Sequence, residues 1–170
     1  MHRKIIRDSQ IQDLVLFRHG KAERPYDASD DFSRNLVELG KTQSLQQAIK
    51  LRELGFSPDV VLVSSAFRAS QTWDMAAQVF PDANPIITRE LYLASPEFYL
   101  RKAASTGAKS VMIIAHDPGL HALCRTFLKG GSRDHMSDLL RLDLPTAGVA
   151  WFQKDENAKS MMRLVANLRP

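Results

Sequence analysis

The sequence predicts an α/β fold in which a mostly parallel sheet lies between two layers of helices. Two observations favour this three-layer α/β/α sandwich: short β-rich runs alternate with longer helical patterns, and runs such as LVLF at 14–17 are apolar enough to be buried. A chain of 170 residues fits one core. We therefore expect residues 1–170 to form a single domain, with residues 1–10 as a basic N-terminal extension.

The predicted strands are short runs rich in apolar and β-branched residues. Two of them flank the polar KDENA segment and are typical of a hairpin, which would put an antiparallel strand at the C-terminal end of the sheet. The six predicted strands are Asp13 to Phe17, Asp59 to Ser64, a weaker one at Pro85 to Thr88, Ser110 to Ala115, Ala147 to Gln153 and Ser160 to Ala166.

The predicted helices lie between these strands and are bounded by glycine or proline. One begins at Pro118, with Asp117 as its cap and proline in the first position. The four predicted helices are Glu38 to Leu54 before Gly55, Ser65 to Phe80 before Pro81, a short one at Pro96 to Thr106, and Pro118 to the Gly130-Gly131 pair.

Composition excludes several classes of protein. The net charge of +4 comes from 23 scattered basic residues without a basic run or interleaved aromatics, which argues against nucleic acid and fits a small anionic ligand. No segment approaches the length of a membrane helix and the first residues lack the apolar stretch of a secretory signal, so we expect a soluble, cytoplasmic protein. The single cysteine, Cys124, lies in the apolar pattern HALCRTFL and is interpreted as a packed core thiol.

Polar residues follow three of the predicted strands directly. The first strand runs into Arg18-His19-Gly20, the second ends at Ser64-Ser65 with Arg68 one helical turn later, and the fourth runs into His116-Asp117. Ligands of open α/β sheets bind beyond the carboxyl ends of the strands. The sequence therefore predicts that two imidazoles and two guanidiniums converge at one edge of the sheet.

Such a set of side chains suits phosphoryl chemistry. Two guanidiniums match the oxygens of a phosphate and stay charged, and the helix N-termini nearby also favour an anion. A neutral imidazole has a lone pair that can attack phosphorus, so His19 is the predicted nucleophile. We expect His116, Arg18 and Arg68 to stabilise the transition state, and Gly20 to leave room for the phosphoryl group. This chemistry requires no metal ion or cofactor.

Three segments of the chain together resemble the histidine phosphatase superfamily, which has the phosphoglycerate mutase-like fold. They are RHG at 18–20, SSAFRASQT at 64–72 and AHDPGL at 115–120. Within this superfamily, the chain is most similar to the SixA-type phosphohistidine phosphatases. The similarity rests on its short length and on the segments ELYLASPE at 90–97 and DFSRNLVELGKTQ at 31–43. The resemblance implies an α/β/α sandwich, a phosphorylated His19 and a phosphate pocket of Arg18, Arg68 and His116. It also implies a phosphohistidine-bearing protein as substrate, or a small phosphorylated metabolite in second place.

The chain departs from the family pattern at several positions. RNLV at 34–37 stands where members often have RPLT, so the helix that follows loses its threonine cap, and Ser33 or Asn35 is the expected substitute. Ser65 stands where proline is common. Asp117 stands where asparagine is frequent; it either caps its helix or places a carboxylate beside the phosphate.

Other residues are weaker candidates for the site. Glu90, just past the third strand, is the candidate general acid, with a solvated loop residue as the alternative. Lys21 and Arg34 either contact the outer part of the substrate or lie on the surface. The remaining histidines are expected to be structural or exposed rather than metal ligands; they are His2, His121 and His135.

The predicted activity is a metal-independent phosphatase that works through a covalent phosphohistidine. A mutase is disfavoured because the chain has little insertion with which to enclose a substrate. The alternative from another class is a phospho-ligand binding module that keeps the arginines without turnover.

Overall fold

The structure is a computed structural model that describes residues 1–170. Its strands are β1 (Asp13–Arg18), β2 (Val60–Ser64), β3 (Asn84–Thr88), β4 (Ser110–Ala115), β5 (Val149–Lys154) and β6 (Met162–Leu168). Its helices are α1 (His2–Asp8), α2 (Glu38–Glu53), α3 (Phe67–Ala77), α4 (Pro96–Ser105), α5 (Gly119–Phe127) and α6 (His135–Leu142). Two short 3-10 turns cover Pro25–Asp27 and Arg89–Leu91.

All six strands form one sheet in the order β3-β2-β4-β1-β5-β6. The first four strands of this order are parallel, whereas β5 pairs antiparallel with both β1 and β6. The predicted α/β class, with a mostly parallel sheet and an antiparallel C-terminal end, is therefore confirmed.

The register of the central strands decides where the site lies. Phe17 of β1 and Val63 of β2 both pair with Ile114 of β4, so the three strands end level with one another. The next residues along each strand therefore meet at the same edge of the sheet. This is the edge at which β1 delivers His19 and β4 delivers His116.

Helices cover both faces of the sheet because successive strand residues point to opposite sides. Leu14 and Leu16 of β1 belong to the core beneath α4, α5 and α6, and Val15 and Phe17 belong to the core beneath α2 and α3. All four side chains are fully buried. Strands with both faces buried explain why the sequence shows continuous apolar runs rather than alternation.

Two helices lie in segments for which none was predicted. Residues 1–10 were interpreted as an extension, yet they contain α1, whose Ile6 is fully buried in the core and which packs against α4. α6 begins after Asp134, whose side chain accepts a hydrogen bond from the backbone N–H of Ser137. Both helices are short, and short helices depend on packing rather than on propensity.

Several predicted helix ends are wrong. α5 begins at Gly119 without a side-chain cap, because the Asp117 carboxylate pairs with Arg18 instead. α2 begins after Val37, also without a side-chain cap. Neither Ser33 nor Asn35 caps this helix, and Asn35 instead forms hydrogen bonds with Glu23 and Gln71. α3 covers Phe67–Ala77 rather than 65–80, and α5 ends at Phe127 rather than at the glycine pair.

None of the helices combines the length and the apolar character that crossing a membrane requires.

Candidate active site

An open cavity of about 680 Å³ lies at the carboxyl edge of the parallel strands. The structure brings the four predicted residues Arg18, His19, Arg68 and His116 together in its wall. Gly20 and Glu90, which were also predicted for the site, are not part of the lining. The remaining lining residues are Lys21, Ala22, Asp31, Arg34, Leu93, Asp117 and Thr146.

Hydrogen bonds on both sides of its ring fix the protonation of His19. Nδ1 lies 2.8 Å from the carbonyl oxygen of Gly20, and the Nε–H of Arg68 donates to Nε2 across 3.1 Å. A carbonyl oxygen only accepts and a guanidinium only donates, so Nδ1 carries the proton and Nε2 carries the lone pair. Burial lowers the pKa of His19 well below its ordinary value of 6.5, since the ring is only 7% exposed. His19 is therefore a neutral imidazole with an available lone pair.

Gly20 positions His19 through its backbone. Its N–H donates to Oγ1 of Thr72 over 2.9 Å, while its carbonyl oxygen holds Nδ1 of His19. A Cβ at this position would lie 2.6 Å from the carbonyl oxygen of Gly40 and from Oγ of Ser44, so α2 packs directly on the glycine. The expectation that Gly20 leaves room for the phosphoryl group is thus corrected: the space is occupied by α2.

Two guanidiniums face the cavity in different settings. Arg68 is 3% exposed, and its Nη1 donates to the backbone carbonyl of Asp31 while its Nη2 donates to the Asp31 carboxylate at 3.0 Å. Arg18 is more exposed; its Nη1 donates to the carbonyl of Leu144 at 2.8 Å and lies 3.1 Å from Oδ2 of Asp117. Both side chains are held in place yet keep further N–H donors for an anion.

Asp31 is a site residue that the sequence did not reveal. Its carboxylate accepts hydrogen bonds from the hydroxyl of Tyr92 and from the guanidiniums of Arg34 and Arg68. The Tyr92 hydrogen bond above all, with those of Arg34 and Arg68, holds the pKa of Asp31 well below its usual range. The carboxylate is therefore a permanent anion that anchors Arg68. The sequence shows only a loop aspartate beside Asp30.

His116 is almost completely buried, with 1% of its surface exposed. Its Nε2 lies 2.7 Å from Oγ of Ser64, and its ring lies 5.2 Å from that of His19 and edge-on to Tyr92. Burial, reinforced by the charge of Arg68, lowers the pKa of His116 to about 3. Both imidazoles of the site are consequently neutral near neutral pH.

Asp117 is the second carboxyl group of the cavity and differs from Asp31. Burial raises its pKa above the usual value, although the neighbouring charge of Arg18 opposes this shift. Its Oδ1 is buried without a hydrogen-bond partner, whereas Oδ2 pairs with Arg18. The pKa values of the two carboxyl groups in the cavity are therefore shifted in opposite directions, that of Asp31 downward and that of Asp117 upward.

The structure does not bring Glu90, the candidate general acid, into the cavity. Glu90 lies in the 3-10 turn outside the cavity, its side chain is 59% exposed, and it binds Nζ of Lys102 at 2.7 Å. The hydrogen bond from Lys102 lowers the pKa of Glu90, so the group does not hold a proton for release.

The structure also places the other residues singled out in the sequence. Lys21 and Arg34 both line the cavity, and Arg34 is tied by hydrogen bonds to Glu23 and Asp31. His121 has its Nε2 2.8 Å from the carbonyl of Leu140, which is a structural contact. Cys124 is fully buried in the core, and burial raises the pKa of its thiol.

Solved structures with the same fold are known. The crystal structure of a protein assigned as the phosphohistidine phosphatase SixA of Agrobacterium tumefaciens is 28% identical, with a TM-score of 0.80 over 94% of this chain and 99% of that chain. The histidine phosphatase SixA complexed with tungstate is 23% identical, with a TM-score of 0.72 over 92% and 96% of the two chains, and so supports the fold alone.

A curated relative extends the comparison to sequence. An uncharacterized protein of Picosynechococcus sp. is 30% identical over 145 residues, which cover 81% of this chain and 82% of the relative. No protein-family model matches the sequence. The predicted resemblance to the histidine phosphatase superfamily is confirmed by the SixA structure from Agrobacterium tumefaciens. The chain belongs to the histidine phosphatase superfamily, in its SixA-type branch, and is a phosphatase.

Proposed function

We propose that the protein hydrolyses phosphohistidine on a partner protein through a covalent phosphohistidine at His19. The observation that carries this proposal is the state of His19: a neutral ring with its Nε2 lone pair beside Arg68, in a cavity that Arg18 also lines. A nucleophile needs that lone pair, and a phosphoryl group needs those charges.

In the first step, Nε2 of His19 attacks phosphorus. The P–Nε2 bond forms while the bond from phosphorus to the leaving atom breaks, and the electron pair stays on the leaving atom. As the phosphoryl group arrives, the Nε–H of Arg68 exchanges its bond to the lone pair for one to a phosphoryl oxygen. Further donors from Arg18 and His116 hold the remaining oxygens, so catalysis consists of positioning and charge stabilisation.

In the second step, water attacks the phosphorus of phosphohistidine. The new P–O bond forms, the P–Nε2 bond breaks, and its electron pair returns to Nε2. His19 regains its starting state because Nδ1 keeps its proton on the carbonyl of Gly20 throughout both steps. The products are inorganic phosphate and the free enzyme.

Asp117 is the proposed proton donor and acceptor. It gives its proton to the leaving atom in the first step and takes a proton from the attacking water in the second. Of the two carboxyls in the cavity wall, Asp31 is held as an anion by three hydrogen-bond donors, whereas Asp117 has one oxygen without a partner. A bound phosphoryl group adds negative charge nearby, which further favours protonated Asp117.

The substrate class is proposed from the neighbours and from the cavity. Solved neighbours of this chain are SixA phosphohistidine phosphatases, and an open cavity admits a phosphorylated side chain presented by another protein. A small phosphorylated metabolite is the second candidate, favoured by Lys21 and Arg34, two cations in the cavity wall that could bind an anionic outer group. A cytoplasmic location stays a prediction.

The experiment is phosphate release from a phosphohistidine peptide and from an aryl phosphate. We expect turnover of both substrates, and a loss of at least about 10³-fold in His19→Ala, because the nucleophile is removed. His135→Ala, at an exposed position, is the matched control and should keep wild-type activity. Tungstate binding without turnover in the wild type would instead identify a phospho-ligand binding module.

A further inference from the structure

Ser64 lies behind the site, where it contacts His116 rather than the cavity. It is the last residue of β2 and is fully buried. Its Oγ lies 2.7 Å from Nε2 of His116 and also accepts a hydrogen bond from the backbone N–H of Ala66 at 3.3 Å. The hydroxyl oxygen therefore already serves as an acceptor, and its hydrogen needs an acceptor of its own.

The two neutral tautomers of His116 differ in how they satisfy the hydrogen-bonding capacity of Nε2 and of the Ser64 hydroxyl. If Nε2 carried the hydrogen and donated to Ser64, the buried hydroxyl hydrogen would be without an acceptor and the Nδ1 lone pair would be without a donor. If the hydroxyl donates to Nε2, then Nδ1 carries the hydrogen and is the one group left without a partner. Nδ1 is indeed buried without a hydrogen-bond partner in the protein. The second arrangement leaves fewer buried polar groups unsatisfied.

We propose that Ser64 is a positioning residue that holds His116 as the Nδ1–H tautomer, so that His116 is a neutral hydrogen-bond donor. That Nδ1–H donates to a phosphoryl oxygen rests on the function proposed above, whereas the tautomer itself does not depend on it. A neutral donor binds the oxygens without adding a third full charge to those of Arg18 and Arg68. Such a donor assists the transfer without retaining the phosphate product as a cation would.

The tautomer can be read directly from the wild-type protein. With ¹⁵N-labelled histidine, long-range ¹H–¹⁵N correlation spectra distinguish the two ring nitrogens of each neutral imidazole. The His116 signals are assigned by their disappearance in His116→Asn. We expect a protonated Nδ1 and an unprotonated Nε2 near neutral pH. A protonated Nε2 in the wild type would overturn the proposal, whatever the activity of any variant.

Variants at Ser64 test what the hydroxyl does. Ser64→Ala should shift His116 toward the Nε2–H tautomer and lower kcat/KM about tenfold, the effect of one net hydrogen bond. Ser64→Thr keeps the hydroxyl and should restore the tautomer and most of the activity. Ser70→Ala is the control, since Ser70 binds only the backbone carbonyl of Ser64, at 3.3 Å.

The outcomes separate this proposal from the phosphatase mechanism. An unchanged Nδ1–H tautomer in Ser64→Ala contradicts the role of Ser64. If Ser64→Ala does not fold, the wild-type spectrum alone decides. If the spectra are as expected but His19→Ala keeps its turnover, the tautomer stands and the covalent mechanism fails.

Discussion

The guanidinium Nε of Arg68 donates a hydrogen bond to Nε2 of His19 across 3.1 Å, and both side chains are buried. The contact joins residues 49 positions apart, one after β1 and one in the first turn of α3. It shows which nitrogen of His19 carries the lone pair and places a positive charge beside that nitrogen. The nucleophile and its phosphate-binding partner are thus already aligned.

Replacing Arg68 by lysine should keep the charge and lose the function. Lysine has no planar fork, so it cannot contact His19 and Asp31 together as Arg68 does through Nε and Nη2. We expect kcat/KM for an aryl phosphate to fall by roughly 10²-fold or more. Arg52→Lys is the matched control, because Arg52 binds the carbonyl of Val79 away from the cavity. Equal activity of both variants would contradict the role given to Arg68.

Variants of Asp117 and Glu90 should differ in how strongly their effect depends on the leaving group of the substrate. Asp117→Asn removes the proposed proton donor, so the rate at which an alkyl phosphate phosphorylates the enzyme should fall by about 10²-fold or more, while the rate of phosphorylation by an aryl phosphate with a good leaving group should be affected far less. Glu90→Gln should leave both substrates within about twofold of wild type, since proton transfer does not involve this exposed group. A selective loss on alkyl substrates in Glu90→Gln would restore Glu90 as the acid.

Gly20→Ala should destabilise the fold as well as the site. The new Cβ would lie 2.6 Å from the carbonyl oxygen of Gly40, so the backbone at Gly20 or the backbone of α2 has to move. We expect a loss of about 1–3 kcal/mol in the free energy of unfolding, measured by urea denaturation. Gly131→Ala is the control, because its Cβ would find only an ordinary contact at 3.5 Å; it should change stability by less than about 0.5 kcal/mol.

The buried neutral histidines should make the fold sensitive to mild acid. His19 and His116 both have pKa values below 6.5 in the folded protein, that of His116 about 3, and both rings protonate near 6.5 when the chain unfolds. The unfolded state then binds more protons than the folded state, so stability is full above 6.5 and falls as the pH drops below it.

Urea denaturation at about pH 7 and about pH 5 measures this effect, with a limiting slope of roughly 1.4 kcal/mol per pH unit for each ring. His116→Asn should reduce the slope by the contribution of one ring. His135→Asn, at an exposed position, should retain all of it. Asp31 does not enter this window, since its lowered pKa affects stability only under more acidic conditions. Asp117, whose pKa is raised by burial, contributes a slope of the opposite sign to both proteins. An equal slope in the wild type and in His116→Asn would therefore show that the His116 ring is not buried as a neutral group.

The sequence was informative where local pattern and topology decide the outcome. An apolar run that ends in RHG is a strand that delivers polar residues to an edge, and level strand ends then bring His19 and His116 together. The hairpin of β5 and β6 followed in the same way from the polar turn between two apolar runs.

The rest depends on contacts between distant residues. Tyr92 binds Asp31 across 61 positions and Ser64 binds His116 across 52, and no local pattern in a single chain reveals either pair. Glu90 was placed in the site because it follows a strand, but the 3-10 turn and Lys102 hold it outside. α1 and α6 were missed because their stability comes from packing.

Trapping the phosphorylated enzyme tests the covalent mechanism. The protein is mixed with a phosphohistidine peptide, denatured within the first turnover, and analysed by mass spectrometry under alkaline conditions that preserve phosphohistidine. We predict a phosphoryl group on His19 in the wild type and its accumulation in Asp117→Asn, where the water that completes the reaction lacks its base. Absence of phosphohistidine on the enzyme during turnover, or a phosphoryl group that persists on another residue in His19→Ala, would show that His19 is not the nucleophile.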